Sequence, residues 1–232
     1  MGRMRELNFR DLGDIGNRAV PKGLFLRSGK LSPLTPNACA SFCQKYRIQC
    51  VIDLRTPVEA AEFPDPLPAG VIYQQIPVLK DACIGITRET GSDPMTIIRN
   101  LRKHPEKLRE MIPDFKEVYK QMVTDEYSRS QLDEAVSILR SNAEKGLCTL
   151  IHCTAGKDRT GVVCMALLKS YGISDTEIVK DYLRTNHYAF WPTLKKCLGI
   201  ALLTRNWTFV KAAYKAFMAD EELIRTAIRY YE

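Results

Sequence analysis

Residues 147–161 read LCTLIHCTAGKDRTG, so Cys153 stands six residues ahead of Arg159, with Gly156 between them, His152 before and Thr160 after. The apolar run LCTLIHC has the length of a strand, and the run VVCMALLKSYG, stopped by Gly172, reads as a helix. The loop between them therefore joins the end of a strand to the start of a helix. Such a turn can aim the backbone N–H groups of Thr154 to Arg159 at one point, and the helix dipole adds positive potential there. Gly156 has no Cβ, so the chain can turn and approach an anion closely. The same field stabilises a thiolate and makes Cys153 a candidate nucleophile. Arg159 can grip two phosphoryl oxygens bidentately, in the ground state and in the trigonal-bipyramidal transition state. Thr160 places a hydroxyl in reach of the sulfur, where it would stabilise the departing thiolate in a second step. His152 is expected to fix the loop backbone rather than act as a base. Thr154, Ala155, Gly156, Lys157, Asp158, Arg159 and Thr160 are the candidate binding residues. The chemistry that this set could do is hydrolysis of a phosphomonoester through a phosphocysteine. By average residue frequencies the pattern would arise by chance in a chain this long with a probability of roughly 10⁻⁴ to 10⁻⁵.

The leaving oxygen needs a proton and the second step needs a base, and one aspartate can serve both. Four are candidates. Asp53 ends a strand in VIDLR, where a carboxylate beside Arg55 reads as a structural ion pair. Asp158 lies inside the loop. Asp125 lies on or after a long helix. Asp81 follows the strand VIYQQIPV, at the start of the weakly periodic stretch 80–104, which reads either as a lid beside the site or as an ordinary surface connection. Lys157 also has two readings, a solvated loop charge or a second cation beside the phosphate that favours polyanionic head groups.

The elements that must position these residues alternate. Strand-length runs lie at 24–28, 49–54, 71–78 and 147–153, with helical patterns at Pro36–Tyr46, capped by Thr35, at about 105–123, and at about 131–144, capped by Ser130 and stopped by Gly146. After residue 158 the pattern is helical: about 158–171, 175–188, 191–203 and 206–230, the last broken near Asp220. This predicts an α/β fold, a mainly parallel central sheet flanked by helices, with a helical C-terminal portion. One domain over 1–232 is expected, with the helices of about 189–232 packed on it.

The chain has 232 residues, 45% of them hydrophobic, and a net charge of +7. The charge is either a mildly basic solvated surface or a rim that draws in anionic substrates. Lys and Arg are scattered without interleaved aromatics, which argues against nucleic acid. No apolar run approaches the length of a membrane span, so no stable insertion is expected. MGRMRELNF lacks the apolar stretch of a secretion signal, and Glu6 stands where a myristoylation site wants Ser or Thr. A cytoplasmic protein is the simplest reading, with signal-independent export left open. The eight cysteines form no CxxC pair and have no histidine at ligand spacing, which argues against zinc. Most lie in apolar stretches and read as reduced, buried thiols.

HCxxGxxRT is the signature of the protein tyrosine phosphatase superfamily. The fuller HCTAGKDRTG resembles the atypical bacterial tyrosine and dual-specificity phosphatases of the mycobacterial B type and the listerial lipid-and-tyrosine type. Asn8-Phe9-Arg10-Asp11, Leu26-Arg27-Ser28, Asp53-Leu54-Arg55, Thr124-Asp125-Glu126-Tyr127 and Asp181-Tyr182-Leu183-Arg184-Thr185-Asn186 resemble blocks of that family, in the same order, over residues 8–186. The C-terminal helices match only loosely. The resemblance implies a phosphatase-type α/β fold, no metal or other cofactor, and activity on phosphotyrosine, sometimes on phosphoserine, phosphothreonine and phosphoinositides. In that family a strand ending in Pro is followed shortly by the acid. Here Pro77-Val78-Leu79-Lys80-Asp81 places the aspartate one residue later. Asp81 and Asp158 both stay candidates. A lipid phosphatase of the same mechanism is the nearest rival. A phosphate-binding module would not need the thiol, and a sulfurtransferase loop would not be expected to carry Arg159 followed by Thr160. The physiological substrate and the oligomeric state are not legible in the sequence.

Overall fold

The computed structural model describes residues 7–16, 19–80 and 114–231. The elements, in chain order, are β1 (Arg10–Asp11), a 3-10 turn (Leu12–Asp14), β2 (Phe25–Ser28), α1 (Pro36–Tyr46), β3 (Ile48–Asp53), α2 (Pro57–Glu62), β4 (Ile72–Gln75), α3 (Phe115–Thr124), α4 (Glu126–Glu144), β5 (Cys148–His152), α5 (Asp158–Ser170), α6 (Asp175–Thr204), α7 (Trp207–Phe217) and α8 (Glu221–Tyr230). The strands lie side by side in the order β1-β2-β5-β3-β4. β1 runs antiparallel to β2, and the other pairings are parallel.

β5 is the middle strand, and every residue of it is buried. That is the state expected of a parallel strand covered on both faces. Alternate residues separate the two cores. Leu26, Val51 and Leu150 face Cys39, Phe42 and Cys43 of α1. Phe25, Ile52 and Ile151 face a larger cluster with Tyr119, Met122, Leu132, Leu139, Ile224 and the apolar residues of α5. α5 is buried from Asp158 to Leu168, so it is a core helix rather than an amphipathic one. The loop between β5 and α5 is thereby held between two buried elements. The fold class is the expected one.

Three differences from the sequence reading have local causes. α4 begins at Glu126, not near Gln131: Asp125 is its cap, accepting from the Ser128 N–H, and Ser130 is an interior residue. The two helices expected on either side of residue 190 are one, α6, which runs through Pro192. Proline removes one ladder hydrogen bond at a cost of about 3 kcal/mol, and tertiary packing can carry a helix across such a loss. Buried residues on both sides, Asp181, Tyr182 and Thr185 before it and Thr193 and Cys197 after it, supply that packing. The short β1 and α2 were not foreseen. The expected lid at 80–104 lies, but for Lys80, outside the described residues, as does Asp81.

Candidate active site

The loop is held by its carbonyl groups. The Thr154 oxygen accepts from the Lys30 backbone N–H at 3.2 Å. The Gly156 oxygen accepts from Asn8 Nδ2 at 2.8 Å and from Arg27 Nη2 at 2.9 Å, and the Ala155 oxygen from Asn8 Nδ2 at 3.4 Å. In a planar trans peptide the N–H of the next residue points opposite to the carbonyl. Anchoring these carbonyls on the scaffold therefore turns the N–H groups of Ala155, Gly156 and Lys157 toward the other side of the loop, as an anion nest requires. Gly156 has φ +66°, and a Cβ there would sit 2.3 Å from the Ser28 carbonyl oxygen. Only glycine fits, because the loop lies directly on the end of β2.

The anchors are themselves locked. Asp181 on α6 pairs with Arg10 Nε at 2.7 Å and with Arg27 Nη1 at 2.7 Å, all three side chains being buried. Arg10 also donates to Asn8 Oδ1, which fixes the amide orientation that the loop needs. Asn8 has φ 55°, a left-handed conformation that asparagine tolerates. Burial by itself would raise the Asp181 carboxyl, but Arg27 and Arg10 outweigh it and hold it below the ordinary carboxylate range. The blocks Asn8–Asp11 and Asp181–Tyr182 are thus the floor of the loop.

Arg159 is fully buried and faces Glu59 of α2: Nη1 donates to Oε2 at 2.6 Å and Nη2 to Oε1 at 3.0 Å. Glu59 Oε1 also accepts from the Thr154 hydroxyl at 2.7 Å. One carboxylate therefore sets both the guanidinium plane and the residue after Cys153. Burial would raise Glu59, yet its hydrogen bonds and charge pairing with Arg159 lower it. Burial would lower Arg159; the charges of Cys153 and Glu59 outweigh that and raise it. Cys153 is buried and lies within electrostatic reach of Arg159 at the other end of the motif. Glu59 escaped the sequence reading, although Thr56-Pro57-Val58-Glu59 carried a signal. It is a capping box in which Thr56 caps the Glu59 N–H and Glu59 reaches back to the Thr56 N–H.

At the first turn of α5 no side chain among the described residues caps the helix, whereas Thr35, Asp125, Ser174 and Asp220 cap α1, α4, α6 and α8. The first intrahelical bond runs from the Gly161 N–H to the Lys157 oxygen. The amides ahead of it are available to an anion. The Thr160 hydroxyl is buried and makes no hydrogen bond among the described residues, to Cys153 included. Leaving such a group unsatisfied costs about 1–3 kcal/mol.

Asp158 is buried, and its Oδ1 accepts from the Tyr119 hydroxyl, which lies 2.7 Å from the Tyr182 hydroxyl. Burial and the charge of Asp158 keep the Tyr119 phenol protonated, well above its ordinary range. Tyr119 escaped the sequence reading, since nothing in α3 distinguishes it from an ordinary core tyrosine. Lys157 sends its ammonium to the carbonyls that end α7, Ala216 at 2.6 Å and Met218 at 3.4 Å, with Asp158 Oδ1 at 3.4 Å. This puts the loop cation at the negative end of a helix.

His152 is buried behind the loop, with Nδ1 3.2 Å from the Cys153 oxygen and Nε2 3.3 Å from Asp65 Oδ2. Asp53, Asp65 and His152 place ligand-type atoms within 4.8 Å of one another. Arg55 occupies that cluster, pairing with both carboxylates. The cluster is therefore an ion pair that braces the strand ends, and Asp53 accepts in addition from Tyr73 at 2.8 Å. Asp125 serves as a helix cap.

Over residues 5–231 the chain matches the family model described as the tyrosine phosphatase family. It is 30% identical over 180 residues to a tyrosine-protein phosphatase of Nostoc commune, covering 73% of this chain and 51% of that protein. It is 31% identical over 188 residues to the triple specificity protein phosphatase PtpB of Mycobacterium tuberculosis, covering 77% of this chain and 66% of that one. The matches thus span between half and two thirds of these relatives' own lengths. With a family match that runs through the Cys153–Arg159 loop and nearly the whole chain around it, the chain belongs to the tyrosine phosphatase family.

Proposed function

We propose that this chain hydrolyses phosphomonoesters through a phosphocysteine on Cys153. The observation that carries this reading is the loop itself. Its carbonyls are tied to Asn8, Arg27 and Lys30, its helix carries no side-chain cap among the described residues, and Arg159 is held in plane by Glu59. In this reading Cys153 attacks phosphorus and the ester oxygen leaves with a proton. Water then cleaves the S–P bond, releasing phosphate and the thiolate. The amides of Thr154 to Arg159 and the Arg159 guanidinium hold the equatorial oxygens. The Thr160 hydroxyl, without a hydrogen-bond partner among the described residues, would donate to the thiolate as it leaves. The C-terminal helices belong to the same catalytic unit.

The substrate class is phosphotyrosine in protein, with phosphoserine, phosphothreonine and phosphoinositides as further substrates. The family match and the triple specificity of the mycobacterial relative support this breadth. Cys153→Ser is expected to abolish turnover of a phosphotyrosine peptide and of a phosphoinositide while retaining binding of both. Hydrolysis of either substrate by the variant would overturn the covalent mechanism.

The proton donor is an aspartate, Asp81 or Asp158. Asp158 is the first residue of α5, where it accepts from Tyr119 and faces Lys157. The donor's Asn variant should lose on the order of 10² in kcat on alkyl-type phosphates. It should lose far less on an aryl phosphate with an acidic phenol. The variant that shows this leaving-group dependence identifies the residue.

A further inference from the structure

The second half of α6 is inverted for a surface helix. Thr193, Cys197 and Thr204 are buried, whereas Trp191, Leu198 and Leu202 are 66%, 60% and 72% exposed, with Leu194 at 45%. The spacing 191, 194, 198, 202 draws one stripe along the helix. α7 continues this apolar and aromatic exposure with Trp207 and Tyr214, beside the exposed Lys211 and Lys215. Lys196 of α6 lies over the Phe217 ring of α7 at 4.6 Å, which joins the two helices. From Thr185 to Ala219 the charged side chains are Lys195, Lys196, Arg205, Lys211 and Lys215, with no Asp or Glu among them.

An apolar stripe, tryptophans on both helices and exclusively positive charge are what a helix needs to lie in the interface of an anionic bilayer. A second copy is a poor occupant, because a two-fold contact would set these cations against one another. No described helix is long and apolar enough to cross a membrane, so the contact is a surface one. We infer that the α6–α7 face docks on an anionic lipid surface. The Lys157 bonds to Ala216 and Met218 tether the phosphate loop to the docked element.

Trp191 and Trp207 are the two tryptophans of the chain, so tryptophan emission, excited selectively over the tyrosines, reports this face alone. The full chain is titrated with vesicles of phosphatidylcholine and with vesicles that also contain phosphatidylserine. A blue shift and co-sedimentation are expected with the anionic vesicles, weakening as salt rises. Lys195→Gln and Lys211→Gln should each weaken the partition roughly fivefold. Leu202→Ala should weaken it as well, with unchanged circular dichroism because the side chain is exposed. Cys153→Ser should bind as the parent chain does, which separates docking from the catalytic reading. The inference is overturned by absence of binding, by equal binding to neutral and anionic vesicles, or by a self-associated state that Leu202→Ala disperses while vesicles leave the emission unmoved.

Discussion

Glu59 carries two tasks that a neutral side chain cannot share. It balances the charge of a fully buried arginine, and in the proposed reaction it sets the plane in which that arginine would meet a phosphoryl group. Glu59→Gln keeps the shape and offers one acceptor in place of two. Arg159 would then lose its bidentate partner, and kcat for phosphotyrosine hydrolysis should fall by on the order of 10². Glu59→Ala should also destabilise the fold by about 3–5 kcal/mol, because it removes the carboxylate paired with a buried charge. The two effects are read by steady-state kinetics and by denaturant unfolding. A Gln variant with parental kcat would show that the guanidinium is positioned by something else.

At the scale of elements, the loop floor is an ion cluster contributed by β1, β2 and α6. Asp181 pairs with Arg10 and Arg27 at once. Asp181→Asn should destabilise the chain by about 3–5 kcal/mol and lower activity with it. The pH dependence follows from the direction of the shifts. Asp181 and Glu59 are held below their ordinary range in the folded state. Each therefore binds protons more readily when unfolded. Their contribution is fully present above the ordinary carboxylate pKa of about 4 and is lost as pH falls from there through the lower folded values. Unfolding free energy should drop on acidification below that point, and the drop should be shallower in Asp181→Asn. An unchanged acid slope in that variant would remove Asp181 from the account.

The same scale shows what the sequence could and could not say. Strands β2 to β5, the Thr35 cap of α1 and the strand-loop-helix context of Cys153 were legible because each rests on contiguous residues: a period, a cap, a glycine. Glu59 and Arg159 are 100 residues apart, and Arg27 and Gly156 are 129 apart. Such pairings are written in no local pattern, so the partner of a charged residue cannot be read from its neighbours in the chain. α2 was legible in principle through its capping box, but it is too short for periodicity to find. Pro192 misled in the opposite sense, because its local cost is real and tertiary packing overrides it.

Across the whole molecule the phosphate loop is tied in two directions, inward through Asn8 and Arg27 and outward through Lys157 to the end of α7. The sequence alone leaves Lys157 as a cation beside the substrate or a solvated charge, and the structure gives its ammonium to two helix-terminal carbonyls instead of water. An ammonium committed to those oxygens adds positive potential at a fixed place, and its removal takes away both that potential and the tether. Lys157→Met, which keeps much of the volume, should therefore raise backbone hydrogen exchange in 207–217 while leaving α5 protected. If the tether is its main effect, phosphopeptide and phosphoinositide turnover should fall by the same factor. A selective loss of the lipid activity with unchanged exchange in α7 would instead make Lys157 a substrate-selecting cation. The two measurements separate these roles because exchange reads the helix and the ratio of activities reads the site.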